Sequence, residues 1–136
     1  MHEEIVARAR SLVGRSEYIL RAEPQDAPNI VNCSVMMWWV FAQSGIHLPR
    51  YAMEQYKLTV PVHPDDIRPC DLVFMIGTGK QRRIGHEGDP VGHVGMLTAS
   101  NQFVHAANSM LGVIEVPLSN IPAERLVAYG RVPALL

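Results

Sequence analysis

The fold of this chain is decided by the stretch Asn32-Cys33-Ser34-Val35-Met36-Met37-Trp38-Trp39-Val40-Phe41. The pattern predicts a helix that ends near Ser44-Gly45, where Gly45 can adopt the left-handed conformation common at helix ends. Because apolar side chains occur on every side of this helix, we expect it to be buried on more than one face, between a sheet and another helix. Its Met and Trp side chains are therefore interpreted as core residues rather than as a cofactor site.

Cys33 stands at the beginning of that predicted helix. A thiol at a helix N-terminus meets unpaired backbone N–H groups and the positive end of the helix dipole, which favour the thiolate. The sequence therefore predicts a lowered pKa and a nucleophilic role for Cys33. The alternative is that Cys33 is only a small buried apolar residue.

Two histidines occupy consecutive β-prone runs that are predicted to pair as a hairpin around Ser100. This pairing makes His93 and His105 diagonal neighbours on one face of the sheet, with backbones roughly 7–8 Å apart. Gly95 then lies opposite His105 and leaves open space on that face.

A thiol and two imidazoles supply the parts of a cysteine hydrolase. One imidazole can accept the thiol proton while the other orients it. Two alternatives stay open: His93 and His105 are hydrogen-bonded sheet residues, or they join His86 in a zinc site. No carboxylate or second thiol is spaced to complete a tetrahedral set, so neither a metal nor a cofactor is expected.

The remaining pattern predicts an α+β domain with helices first and strands afterwards. An amphipathic helix is expected over 3–13, a short helix over 50–56 and an irregular connection over 61–69. We expect N-terminal helices packed on an antiparallel sheet of five to six strands. The β candidates are 71–76, 91–98, 102–107, 112–116 and 126–132.

Length and composition indicate one domain over residues 1–136. The formal net charge is −1 without an extended basic surface, so nucleic acid is not an expected partner. The longest apolar stretch, 35–42, is too short to cross a bilayer, and the N-terminus does not resemble a signal peptide. As written, the chain is expected to be cytoplasmic, or secreted or phage-delivered if a leader has been trimmed. The oligomeric state stays open.

Clustered positive charge occurs in the long polar loop ahead of the predicted hairpin, at Lys80, Arg82 and Arg83. Guanidinium groups bind carboxylates through paired hydrogen bonds, so Arg82 and Arg83 are candidates for holding substrate carboxylates. A solvated loop face is the alternative. Alternatively, Glu23 and Asp26, in the loop before Cys33, could bind a free amino terminus of the substrate.

The second cysteine, Cys70, precedes the predicted strand 71–76. Two cysteines do not make a disulfide framework or a metal knuckle. Cys70 is therefore interpreted as a small turn residue without chemistry.

Several motifs in this order resemble one known family, the NlpC/P60 cysteine peptidases, a papain-like group that cuts peptide stems of the bacterial cell wall. The resemblance covers most of the chain and implies a papain-like α+β fold. The motifs are Asn32-Cys33-Ser34, Phe41-Ala42-Gln43-Ser44-Gly45-Ile46-His47-Leu48-Pro49-Arg50, Asp71-Leu72-Val73-Phe74, Gly92-His93-Val94-Gly95 and Phe103-Val104-His105-Ala106.

Carried onto this sequence, the resemblance makes Cys33 the nucleophile, His93 the base and His105 the residue that orients the base. Tyr18 resembles the family's active-site tyrosine. The expected substrate or oxyanion residues are Tyr18, Ser34, Arg82 and Arg83. The implied partner is a peptide or a peptidoglycan stem peptide, and no cofactor is implied.

The chain also departs from the family pattern. Asn32 replaces an Asp, Val35 and Cys70 each replace a Gly, and a Trp-Gly-Gly segment after the tyrosine is absent. Val35 is expected to narrow a subsite, and the altered loop over 19–31 is expected to change substrate contacts.

Three alternative functions remain. A CHAP-type amidase or an acyl-transfer enzyme could use the same fold, and a catalytically silent module could bind cell-wall peptides. Lecithin-retinol-acyltransferase-like proteins place histidine before cysteine, so the order Cys33, His93, His105 argues against them.

Overall fold

The structure is a computed structural model that describes residues 1–78 and 90–136. In these ranges the N-terminal part is mainly helical and the C-terminal part is a sheet. The helices are α1 (His2–Ser11), α2 (Cys33–Ala42) and α3 (Ala52–Leu58). None of the described helices has the length and hydropathy that a membrane crossing requires.

The described strands form a two-stranded parallel pair and a six-stranded antiparallel sheet. The pair is β1 with β2, and the order of the large sheet is β3-β8-β4-β5-β6-β7. The predicted α+β class with an antiparallel sheet of five to six strands is confirmed. The strands are β1 (Glu17–Tyr18), β2 (Ile30–Val31), β3 (Val60–Val62), β4 (Leu72–Met75), β5 (His93–Ala99), β6 (Gln102–Asn108), β7 (Gly112–Pro117) and β8 (Leu126–Arg131).

Two features of the sheet differ from the sequence-based prediction. β3 overlaps the start of the segment 61–69, which was expected to be an irregular connection, and it contains Pro61. Proline is tolerated there because β3 is an edge strand, paired only with β8. β8 does not pair with β7, the strand before it in the sequence, but inserts between β3 and β4.

The main core lies between α2 and the sheet. α2 contacts β5, β6, α1 and α3, as expected for a helix that is apolar on every side. Met36, Val40 and Phe41 are completely buried in this core. A smaller cluster on the opposite face of the sheet contains Val73, Met75, Leu97 and Phe103.

Asn32 caps α2 and also holds the preceding loop. Its Oδ1 accepts a hydrogen bond from the N–H of Val35 at 2.9 Å. Its Nδ2 donates to the carbonyl oxygens of Leu20, at 3.0 Å, and Ala22, at 3.3 Å. An aspartate could replace the cap but not the two donated hydrogen bonds.

We expect Asn32→Asp to lower the free energy of unfolding by about 1–3 kcal/mol, because buried carbonyl groups lose a donor. Asn32→Ala should cost more, since the cap is lost as well. Urea unfolding of both variants measures the two effects. An Asn32→Asp protein as stable as the wild type would show that the loop does not depend on the amide.

Candidate functional site

The two histidines meet across β5 and β6. His93 Nε2 lies 2.7 Å from His105 Nδ1, and the ring planes are nearly perpendicular, at 80°. One of the two nitrogens must carry the hydrogen of this bond. If His93 donates from Nε2, its Nδ1 is the ring nitrogen that can accept a proton from another group.

The hairpin register explains this contact. Met96 pairs with Val104 and Leu97 with Phe103, which is the predicted register centred on Ser100. It shifts only at the turn, where Ala99 pairs with Gln102.

Gly95 provides the space that His105 occupies. A Cβ at this position would lie 2.9 Å from Phe103 Cδ2 and 3.0 Å from His105 Cβ. The Phe103 and His105 rings are packed with their centroids 4.6 Å apart. The glycine therefore allows β6 to bring His105 close to β5.

Burial controls the charge state of both imidazoles. Burial lowers the pKa of His93 most, and repulsion from a protonated His105 and from the Arg125 guanidinium lowers it further, so that it lies well below its ordinary value. Burial and the Arg125 guanidinium lower the pKa of His105 to about 4. Both rings are therefore neutral near pH 7.

Cys33 is the first residue of α2 and is buried. Burial raises the pKa of its thiol, while the N–H of Val94, the N–H of Ser34 and the charge of Arg50 act in the opposite direction. The predicted lowering of the pKa is wrong, because desolvation outweighs the helix terminus. Val94 follows His93 directly, so the thiol lies beside the start of β5.

Ser34 belongs to a polar network behind Cys33. Its hydroxyl donates to Asn32 Oδ1 at 3.3 Å and accepts from Arg50 Nη1 at 3.0 Å. Arg50 also donates to the carbonyl of Ala22 at 2.6 Å. Arg50 had no predicted role, although it is the last residue of one of the motifs.

The two acidic residues considered as an amine site already have partners, one within their own loop and one outside it. The Glu23 carboxylate lies 3.7 Å from Arg50 Nε, and Asp26 Oδ2 accepts the Glu23 N–H at 2.9 Å. These contacts connect the loop before Cys33 to Arg50.

Val35 does not lie where it could narrow a subsite. Its side chain is completely buried in the main core. That expectation is wrong, because position 35 faces the interior of the domain.

A cleft of about 710 Å³ lies on the histidine side of the sheet. Ligand sites of this size are common in proteins. Tyr18, His93, His105 and Arg125 line it, together with apolar side chains such as Met75. Cys33 and Ser34 are not among its described lining residues. Arg125 was not predicted as a site residue, because it lies outside every recognised motif in the sequence.

Three expectations concern other parts of the chain. Arg82 and Arg83, together with Lys80 and His86, lie outside the described residues. Cys70 is a free thiol in a turn, and burial together with Asp71 raises its pKa to about 11. Within residues 1–78 and 90–136, no group of three or more His, Cys, Asp or Glu side chains could hold a metal ion.

Comparison with known proteins identifies the family. The sequence profile of the NlpC/P60 family matches residues 22–131. This chain belongs to the NlpC/P60 family. It is 31% identical over 101 residues to the bifunctional muramidase/DL-endopeptidase CwlT of Bacillus subtilis, covering 74% of this chain and 28% of that protein. Across its curated relatives the chain spans between 18% and 53% of their length.

Solved structures of NlpC/P60 domains have the same fold. NlpC2 from Trichomonas vaginalis superposes with a TM-score of 0.77 at 21% identity, covering 96% of this chain and 46% of that one. The peptidoglycan hydrolase RipB from Mycobacterium tuberculosis gives a TM-score of 0.72 at 20% identity, covering 96% and 64%.

Gly95→Ala should lower the free energy of unfolding by about 1–3 kcal/mol through overpacking and should separate the two imidazoles. Urea unfolding and imidazole NMR shifts measure the two effects. Gly14→Ala is the control: its backbone φ of +72° strains an alanine, but no heavy atom outside its chain neighbours lies within 4 Å of the added methyl group, so stability should fall while the imidazole signals stay unchanged. Unchanged His93 and His105 signals in Gly95→Ala would contradict the packing argument.

The pKa values also predict a pH dependence of stability. An unfolded His binds a proton near pH 6.5, whereas folded His105 binds one only near pH 4. The unfolded state is thus favoured as the pH falls through this window, and the free energy of unfolding should decrease from pH 6.5 to 4. Urea unfolding at several pH values should show a smaller slope in His105→Asn. An identical slope would contradict the assignment.

Proposed function

We propose that residues 1–136 form a single cysteine peptidase domain that hydrolyses an amide bond in peptides of bacterial peptidoglycan. The observation that carries the proposal is the 2.7 Å contact between His93 Nε2 and His105 Nδ1, together with the position of the Cys33 thiol. The thiol lies beside the N–H of Val94, the residue that follows His93 in β5. Membership of the NlpC/P60 family supports it, as do relatives named as an endopeptidase and a peptidoglycan hydrolase.

In the proposed first step, Cys33 Sγ attacks the amide carbonyl and its proton passes to His93 Nδ1. The raised thiol pKa and the lowered imidazole pKa disfavour a pre-formed ion pair, so proton transfer accompanies attack. His93 Nε2–H donates to His105 Nδ1, which fixes the tautomer and the orientation of the base.

The acyl-enzyme then forms and is hydrolysed. His93 gives its proton to the leaving amine, the C–N bond breaks, and a thioester with Cys33 remains. Water attacks the thioester while His93 accepts one of its protons, and that proton returns to the Cys33 sulfur. The products are an amine and a carboxylic acid.

Backbone N–H groups at the start of α2 are suited to hold the oxyanion of the tetrahedral intermediate. The N–H groups of Cys33 and Ser34 are directed at the sulfur, close to the proposed reacting carbonyl. Tyr18, which lines the cleft with both histidines, is the proposed side-chain contribution.

The proposal predicts that Cys33→Ala and His93→Ala each reduce kcat by about 10³-fold or more, while the double variant is hardly worse, as for groups that act together. His105→Asn should retain more activity than His105→Ala, because an amide oxygen still accepts the His93 N–H. Digestion of purified peptidoglycan, with mass spectrometry of the fragments, measures turnover.

Cys70→Gly is the matched control for loss of a thiol. Cys70 has a backbone φ of 76°, which glycine adopts readily, so this variant should fold and remain active. Full activity in Cys33→Ala would reject the thiol mechanism. Peptide binding without cleavage by the wild type would instead favour the silent binding module.

A further inference from the structure

Arg125 is the charged side chain in the cleft that the catalytic proposal does not use. It ends the 3₁₀ turn Ala123–Arg125, just before β8. Its Nη2 donates to the carbonyl of Ile76 at 3.1 Å. Its Nε is buried and has no hydrogen-bond partner among residues 1–78 and 90–136. A buried, unsatisfied guanidinium nitrogen is costly unless a ligand completes its hydrogen bonding.

The surroundings of Arg125 favour an anionic ligand. None of the carboxylates in residues 1–78 and 90–136 forms an ion pair with it. Apart from the two histidines, Arg125 is the only titratable basic group among the described lining residues, and none of these residues is acidic. The neighbouring polar side chains, such as Asn108 and Asn120, are neutral.

Arg125 lies on the imidazole side of the site. Its charge acts on both His93 and His105, whereas Cys33 is not among the described residues that line this cleft. In an acyl transfer, the base that returns its proton to the leaving amine must lie against the amine side of the scissile bond. The cleft beside the imidazoles is therefore suited to the part of the substrate that leaves as the amine.

We propose that Arg125 binds a carboxylate of the substrate residue whose amine is released, and so selects peptides with a free carboxylate on that side of the scissile bond. This inference rests on the proposed function for its substrate class. The Nη2 of Arg125 donates to the carbonyl of Ile76, and its Nε and Nη1 can donate hydrogen bonds to a carboxylate.

A carboxylate at Arg125 would also affect the base. It offsets the positive charge that disfavours protonation of His93, so His93 accepts the thiol proton more readily when the correct substrate is bound. Substrate recognition and proton transfer would then be coupled through one side chain.

Binding to the full chain carrying Cys33→Ala, which stops turnover, tests the inference by titration calorimetry. Three forms of one stem peptide are compared. In the first, all carboxylates are free. In the second, the carboxylate on the acyl side of the cleaved bond is amidated, and in the third, the carboxylate on the amine side is amidated. We expect amine-side amidation to weaken binding about tenfold or more, and acyl-side amidation to have a smaller effect. In Cys33→Ala combined with Arg125→Gln, the difference between the unmodified and amine-side amidated peptides should disappear.

Two controls separate recognition from structure. Arg10→Gln removes the same charge from an exposed ion pair with Glu115, on the opposite face of β7 from Ile114 in the cleft, and should leave the preference intact. Arg125→Gln loses the hydrogen bond to Ile76 and can lower the stability of the fold. A general loss of stability, however, weakens the binding of all three peptides equally. Arg125→Lys should restore part of the preference, since lysine retains the charge but not the fork geometry.

The outcomes distinguish this inference from the proposed function. A preference that survives Arg125→Gln, a preference for the acyl side, or no binding of any form would overturn the role of Arg125. Selective binding by Cys33→Ala with no cleavage by the wild type would leave the carboxylate site standing and reject the peptidase function.

Discussion

The arrangement of this domain depends on the burial of α2 between the sheet and the other helices. Seven of its ten side chains are buried, and each large apolar one contributes about 1.5–3 kcal/mol through removal from water. Because the apolar surface surrounds the helix, it must contact β5 and β6 on one side and α1 and α3 on others. Asn32 sets where the helix begins, so Cys33 is placed beside Val94 by packing and capping together.

The same burial determines the electrostatics of the site. Removal from water disfavours a thiolate at Cys33 and an imidazolium at His93 or His105, so the neutral forms are the stable ones. Hydrogen bonds from the start of α2 and the charge of Arg50 favour the thiolate but do not outweigh desolvation. In the proposed reaction, charge separation therefore accompanies the attack of Cys33 and does not precede it.

Periodicity and turn chemistry predicted much of this structure, because they depend on neighbouring residues. The apolar run of α2 predicted its burial, and alternation around Ser100 predicted the register that brings His93 and His105 to one face. The insertion of β8 and the position of Arg125 depend on long-range pairing, which leaves no local pattern. The sign of the Cys33 pKa shift was missed because a helix terminus is visible in the sequence, whereas the depth of burial is not.

Two of the expected departures from the family pattern, Asn32 and the loop over 19–31, are connected by hydrogen bonds. The Asn32 amide donates to the carbonyls of Leu20 and Ala22, so the residue before Cys33 holds the loop that was expected to differ from the family. That loop follows Tyr18 and contributes Ile19 and Leu20 to the wall of the cleft. An aspartate would lack the donors that this conformation requires. The exchange at position 32 therefore shapes the cleft wall indirectly, while the capping oxygen that positions Cys33 is retained.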